Sequence, residues 1–414
     1  MPNTLNTLKN APGVIAKMAA QMLEDKVQFA KSIDKADSSD YDGKNGYQAG
    51  DTIYISKPAR FTVGTNADIT SAIQDVQEEK VALTLDQRKV IGIALTSSEI
   101  ATDMALQGWA KRVLEPAVSR MAQEIEKDFL TVATQATANG VGTAGSTIFD
   151  TDTVLAAGQK LDEFACPDFD NRFVLLNPAA NRSAVNARKG LFQSASDIAE
   201  QYKSGYMGEA DGFTFLRNNL VYSHTAGTAN VTGVTASANL TSGSANIALT
   251  GLGNTLTVTK GTIFTLAGIN AVHPITKQDL GYPKQFCVSA TVTSSAGGAA
   301  TVVATEVVYS SAAGALQNVA SLAANGVAVT FFQPTVSSVR AQNLAYHKSA
   351  FRMVSVPLVT PGGLDMTAQA TSDGGFTIRV VRDYDVLTDK LIMRLDFLGG
   401  IAPVRPEWAA RVTA

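Results

Sequence analysis

The sequence predicts an α+β fold, a mixed α/β body interrupted by a small all-β barrel domain. Three observations predict it. A long amphipathic helical stretch around Pro116 has the length of a spine. Alternating apolar residues before it mark an extended hairpin. A Thr/Ser/Gly-rich stretch, 218–259, holds no Asp, Glu, Lys or Arg and leads into closely spaced short strands.

Composition sets the frame. The chain has 414 residues, 45% of them hydrophobic and 17% charged, with a formal net charge of −3. That apolar share supports a packed core and excludes a disordered chain. No Lys/Arg run exceeds two residues, so no concentrated basic surface for gripping nucleic acid is evident. Cys166 and Cys287 lie far apart in no metal-ligand spacing and read as two reduced thiols. There is no 18-residue apolar run to cross a membrane, and no basic segment followed by an apolar core to direct secretion. Synthesis in a cytoplasm is the expectation.

Residues 1–13 read as irregular. Over 14–35 a helical pattern places Ile15, Met18, Met22, Phe29 and Ile33 near one face. These residues belong either to an ordinary domain helix or to an arm lying on a neighbouring subunit. Polar residues 37–50 form a loop. Ile53 and Ile55 then alternate within 51–63, and Val81, Leu83 and Leu85 alternate within a second arm, 76–95, that continues through Ile91, Ile93 and Leu95. Gly64, Thr65 and Asn66 supply the turn. A two-stranded ribbon is marginal in water, so one of this length needs another surface, and that surface is available on another chain. Ile15, Met18, Met22, Phe29, Ile53, Ile55, Val81, Leu83 and Leu85 are therefore the candidate subunit-interface residues.

The spine follows. Thr96 with Glu99 fits a capping box, and Ile100, Met104 and Val113 begin an apolar stripe. Pro116 kinks or divides the helix, because it lacks an N–H and clashes with the preceding turn. It is the candidate conformational hinge. Val118, Met121, Ile125, Phe129 and Val132 continue the stripe, and Asn139–Gly140 is read as the C-cap. Residues 154–164 and 179–188 read as helices, with a short buried strand at 173–176. Strands are expected at 255–259, 262–266, 286–292, 301–309 and 327–332, the inserted domain. Further strands follow at 351–356, 376–382 and 390–397, with a turn over 383–389. The resulting division is 1–45 arm, 46–95 hairpin loop, 96–222 spine and first part of the body, 223–335 insertion, and 336–414 the remainder of the body with the closing strands.

Catalytic motifs are not found. Gly140 to Thr147 has the glycine spacing of a phosphate loop, but Ser146 stands where the lysine is needed, so it reads as a turn. His224, His273 and His347 are isolated, with no metal-ligand cluster, and no nucleophile elbow is present. No catalytic, cofactor-binding or metal-binding residue is assigned, no cofactor is expected, and the chain reads as a structural protein and not an enzyme.

The order of arm, extended hairpin, spine helix and split α/β body closed by late strands resembles the Hong Kong 97 capsid fold. The insertion narrows this. Gly261-Thr-Ile-Phe-Thr-Leu-Ala267-Gly268-Ile269, Val272, Thr276-Lys277, Leu280 and Phe286-Cys-Val288 resemble the insertion domain of coat proteins of the Salmonella phage P-twenty-two type. Ala315-Leu-Gln317-Asn318-Val319-Ala-Ser321-Leu322-Ala does so too. The resemblance implies a major capsid protein that self-assembles as pentamers and hexamers into an icosahedral virion head around double-stranded DNA contacted non-specifically. It also implies a scaffolding protein, a portal and a precursor shell that expands. One departure is that 225–259 is free of charged side chains, which puts a charge-paired bridge between capsomers in doubt. The alternatives are an encapsulin-like shell without a genome, and a secreted β-rich adhesin or glycan-binding module suggested by 223–260.

Overall fold

The computed structural model describes residues 11–35, 48–57, 61, 63, 73, 79–96, 113–143, 151–167, 170–187, 208–359, 366–372 and 374–413. The chain begins with α1 (Ala11–Lys26), α2 (Phe29–Ser32) and β1 (Asp34–Lys35). β2 (Thr52–Ser56) and β3 (Lys80–Thr84) pair as a hairpin, and β4 (Gln87–Thr96) follows. The spine is α3 (Glu115–Ala136). After it come β5 (Gly140–Val141), α4 (Thr151–Glu163), β6 (Arg172–Leu176), α5 (Pro178–Ala187), β7 (Glu209–Ala210) and β8 (Phe213–Arg217).

The strand-rich segment holds β9 (Ser223–Thr225), β10 (Thr235–Ala236), β11 (Ser244–Thr250), β12 (Thr257–Val258), β13 (Ile263–Val272) and β14 (Asp279–Cys287). It continues through β15 (Val292–Thr293), β16 (Ala300–Val308) and β17 (Val329–Phe331) to β18 (Val339–Ala341). The closing strands are β19 (Asn343–His347), β20 (Phe351–Ser355), β21 (Met366–Thr371), β22 (Thr377–Asp385), β23 (Lys390–Pro403) and β24 (Ala409–Val412). The architecture is mixed α+β, as expected.

Two compact units emerge. The first comprises Met1–Ile55, Ala82–Phe129 and Arg352–Ala402; the second comprises Ser56–Val81, Leu130–Phe351 and Pro403–Ala414. The first unit is built on a sheet ordered β1-β20-β23-β22-β21, with β4 also paired to β23. The alanine face of α1, Ala16, Ala19 and Ala20 with Leu23, is buried, and the helix packs on β21 and β22. Small side chains let the helix approach the sheet closely. This corrects the expected apolar face, which was drawn through the larger residues. The single helix over 14–35 is also corrected. Its chain breaks after Lys26, and Asp34 and Lys35 pair in parallel with Arg352 and Met353. The buried Glu126 carboxylate of α3 explains the restart, accepting hydrogen bonds from the backbone N–H groups of Gln28 (3.1 Å), Phe29 (2.6 Å) and Ala30 (3.3 Å). It satisfies donors that a helix start leaves open.

The second arm, expected over 76–95, is corrected at its far end, since β3 stops at Thr84. Gln87–Thr96 pairs antiparallel with Lys390–Gly399 of β23 along its whole length and joins the large sheet. Lys89 on its half-buried face forms an ion pair with Asp128 of α3, which holds it there. Gly400 in β23 permits a close approach to the hairpin base, since a Cβ there would stand 2.4 Å from the Thr84 carbonyl oxygen.

The second unit contains the sheet β5-β24-β19-β6-β8-β7, with Val154, Ala157 and Leu161 of α4 and Ala180 and Ala184 of α5 in its core. Asn177 ends β6 and caps α5, its Oδ1 accepting from the Ala180 N–H at 2.6 Å, with Pro178 at the first helical position. The expected C-cap at Asn139–Gly140 is corrected. α3 ends at Ala136, where the Thr137 hydroxyl donates to the Ala133 carbonyl at 2.9 Å, and Gly140 already pairs in parallel with Arg411. Gly142, in the glycine run, has φ +92°, and a Cβ there would lie 2.2 Å from the Thr413 carbonyl oxygen. That glycine serves backbone packing; Ser146 and Thr147 lie outside the described residues.

The strand-rich segment forms small antiparallel sheets, β10-β11-β16 and β14-β13-β17, plus the pair β12-β15. They enclose one core with Phe264, Leu266, Phe286, Val288, Val302 and Phe331 among its members. The strand expected at 286–292 is corrected to Asp279–Cys287. Pro283 concealed it, and the register shift beside its partner Asn270 is where a strand tolerates a proline. The turn expected at 383–389 is shorter, because Asp383–Asp385 extend β22. The first half of the spine, with Thr96–Glu99 as its cap and Ile100 and Met104, falls mostly outside the described residues, as does the hairpin turn at 64–66.

Candidate assembly surfaces

The interface candidates separate by burial. Phe29, Ile53, Ile55, Leu83 and Leu85 are each 5% exposed or less within this one chain. A single chain already buries these five. Ile15, Met22 and Val81 are half-buried and Met18 is exposed. The structure therefore does not bring the nine together as one patch.

The exposed apolar surface lies elsewhere. Tyr54 occupies the outer face of β2, opposite in direction to Ile53 and Ile55, as strand alternation requires. Phe61, Val63 and Ile73, between β2 and β3 in sequence, are exposed as well. A second apolar point is the β22–β23 turn. Asp385 accepts from the Leu387 N–H (3.0 Å) and the Thr388 hydroxyl (2.5 Å), and the Tyr384 hydroxyl donates to Asp389 (2.6 Å). These bonds fix the turn and present Val386 and Leu387, 81% and 95% exposed. The Thr388 and Leu387 donors hold the Asp385 carboxyl below its ordinary range.

Pro116 is the second residue of α3, and Val113 and Leu114 just before it are π-helical. The residues that would form the other side of a bend, before 113, lie outside the described residues.

Buried polar groups of the second unit gather where the strand-rich segment meets the α/β body. Arg411 of β24 is 1% exposed and donates to the Gly261 carbonyl at 2.6 Å and to Cys287 Sγ at 3.0 Å. The thiol in turn donates to the Gln135 carbonyl at 3.0 Å. Lys160 of α4 donates to Gln285 Oε1 and to the Gly140 carbonyl (3.0 Å), while the Gly140 N–H donates to the same Gln285 oxygen at 2.8 Å. Burial lowers the Lys160 pKa to about 8, against the opposing pull of Glu163. Burial, then the Arg411 charge, lowers His224 to about 4. Burial raises the Cys287 thiol. A buried thiol kept protonated is a poor nucleophile. The seam joins parts of the second unit's fold.

Sequence reasoning missed this seam. Its members are scattered from Gln135 to Arg411, and the one local signal is an arginine within the apolar C-terminal run Ala409-Ala410-Arg411-Val412. Among the described residues no group of three or more His, Cys, Asp or Glu could hold a metal ion, and no helix is long and apolar enough to cross a membrane.

Exposed apolar side chains on a hairpin and a turn are the main candidate contact surface among the described residues. Residues 5–411 match the family described as P22 coat protein, gene protein 5, and the chain belongs to that family. It is a structural major capsid protein of a phage head, not an enzyme. Solved structures similar to it include "Mycobacterium phage Che8", at 13% identity over 93% of this chain and 90% of that one, with a TM-score of 0.45. Another is "Capsid of Ralstonia phage GP4", at 9% identity over 92% and 87%, with a TM-score of 0.46. A third is "Capsid structure of the Cyanophage P-SCSP1u", at 11% identity over 89% and 85%, with a TM-score of 0.42. No curated protein matches the chain. Family membership replaces the adhesin reading of 223–260.

Proposed function

We propose that the chain self-assembles as pentamers and hexamers into an icosahedral head enclosing double-stranded DNA. In this reading the body has the Hong Kong 97 capsid architecture, and 223–335 is an inserted β-barrel domain. Assembly takes place in the host cytoplasm with a scaffolding protein and a portal. DNA touches the inner surface non-specifically, in keeping with a net charge of −3 and no basic run.

The observation that carries this reading is the uncovered apolar surface of the hairpin and the β22–β23 turn. Exposed large apolar side chains gathered on a surface mark a candidate association site. Full burial of each such side chain is worth roughly 1.5–3 kcal/mol. The nine interface candidates, Ile15, Met18, Met22, Phe29, Ile53, Ile55, Val81, Leu83 and Leu85, remain proposals, with Ile15, Met18, Met22 and Val81 the least covered in one chain, and Pro116 remains the proposed hinge.

Sedimentation velocity of the purified chain tests the reading. Assembly gives a fast particle boundary whose amplitude grows with concentration. A single slow monomer boundary at every concentration contradicts it.

A further inference from the structure

The second unit holds two apolar cores that share no residue. One, around Phe264, Phe286 and Val302, draws its members from residues 229–331 alone; the other, around Val174, Phe215 and Ala410, draws none from that range. β14 lies between them, with Phe286 in the first core and its neighbours Gln285 and Cys287 bonded to the spine and the α/β body. There β5 is the edge strand of the body's sheet. The Gly140 N–H donates to Gln285 Oε1 at 2.8 Å, and Gln285 Nε2 donates back to the Gly140 carbonyl at 3.0 Å. One side-chain amide thus stands in for the missing strand at that edge.

Polar contacts continue along the junction. Lys160 donates to the same Gln285 oxygen and lies 5.5 Å from the centre of the Tyr282 ring, and Lys284 lies 5.2 Å from that of Phe164. The Cys287 thiol donates to the Gln135 carbonyl and accepts from Arg411, which also donates to the Gly261 carbonyl. Where Ile263 and Phe332 approach the body they meet the bare Gly140, at which a Cβ would stand 3.0 Å from the Phe332 ring. A hydrogen bond given up to water is largely replaced, whereas burial lost from an opened apolar core is not. Opening the junction also returns the Lys160 ammonium to water. The chain enters and leaves the strand-rich segment side by side, through β9 paired with β18.

We propose that the strand-rich segment, 223–341, lifts off the α/β body as one piece on its β9–β18 stem, with Gln285 and Cys287 of β14 as a releasable clip. Its own core stays closed, while Gln135, the Gly140 edge and Arg411 are uncovered. The clip belongs to the single chain and does not depend on the shell reading. Within that reading it lets one sequence meet its neighbours at different angles without unfolding.

Maleimide labelling of the unassembled full-length chain tests it, with Cys166 and Cys287 read separately by peptide mass. Cys287 is wholly buried, so it reacts only after an opening. Labelling is followed below the unfolding transition, where the denaturant slope reports the surface that the opening exposes. The clip predicts a Cys287 rate that rises far less steeply with denaturant than global unfolding does. Gln285→Ala is expected to speed that rate by about tenfold or more. Val302→Cys, inside the segment's own core, is expected to react about tenfold or more slowly than Cys287 in the same chain. A Cys287 rate with the full slope of global unfolding, an unchanged rate in Gln285→Ala, or equal rates at positions 302 and 287 overturns the proposal. The wild-type slope decides the matter if either variant fails to fold. Particle formation enters none of these rates, so the clip and the shell reading fail separately.

Discussion

His224 is buried at 3% exposure, with Thr262 Oγ1 3.4 Å from its Nε2 and Arg411 close enough to disfavour a second charge. Its folded pKa of about 4 lies below the ordinary 6.5. Between those values the unfolded chain binds a proton that the folded chain refuses. Stability is therefore fully present above pH 6.5 and is lost as pH falls towards 4, by on the order of 3 kcal/mol. Denaturant unfolding at pH 7 and pH 4.5 measures it, with His224→Gln expected to flatten the slope over that window. An equal slope in both chains would show that other groups cause the loss. The same seam holds Lys160 as a cation in a place that favours the neutral amine, so polar connection there costs stability that the surrounding core must supply.

At the scale of elements, the hairpin and the spine carry the assembly argument. Removing 65–75 shortens the hairpin without touching Ile53, Ile55, Leu83 or Leu85, which are buried at its base. The shortened chain is expected to stay folded and soluble and to form few closed particles, counted by negative-stain microscopy; a normal particle yield sinks the idea. Pro116→Ala distinguishes hinge from helix start. A hinge predicts a shifted temperature for heat-induced expansion of precursor particles with no loss of subunit stability, since Ala restores a helix bond. Identical expansion temperatures and diameters would mean that Pro116 only begins α3.

Elements with strong local signals were legible: α3 from its three- and four-residue stripe, α4, α5, β6 and most late strands. What escaped depended on distant partners. Alternation in 87–96 reads the same whether its partner is the neighbouring arm or β23, and pairing with Lys390–Gly399 decides it. β24 and Arg411 carry no pattern that announces a central strand. Alternation also marks buried and exposed faces alike. Ile53 and Ile55 proved to be core, while Tyr54 between them faces outward.

For the whole molecule, the charge-free stretch 218–259 precedes strands that share a core around Phe264, Phe286 and Phe331. A fragment of 223–335 is expected to give dispersed amide signals by NMR, because its sheets share one core. Poor dispersion would mean that the seam through Arg411, Lys160 and Gly140 is required for folding. The proposed assembly uses many copies, each contributing exposed apolar side chains such as Phe61, Val63, Val386 and Leu387. Cryo-electron microscopy of particles formed by the purified chain tests this most directly. The account predicts closed icosahedral shells of five-copy and six-copy clusters, with Phe61, Val63, Val386 and Leu387 buried at contacts between copies. Monomers, open filaments, or closed shells that leave those four residues facing solvent would contradict it.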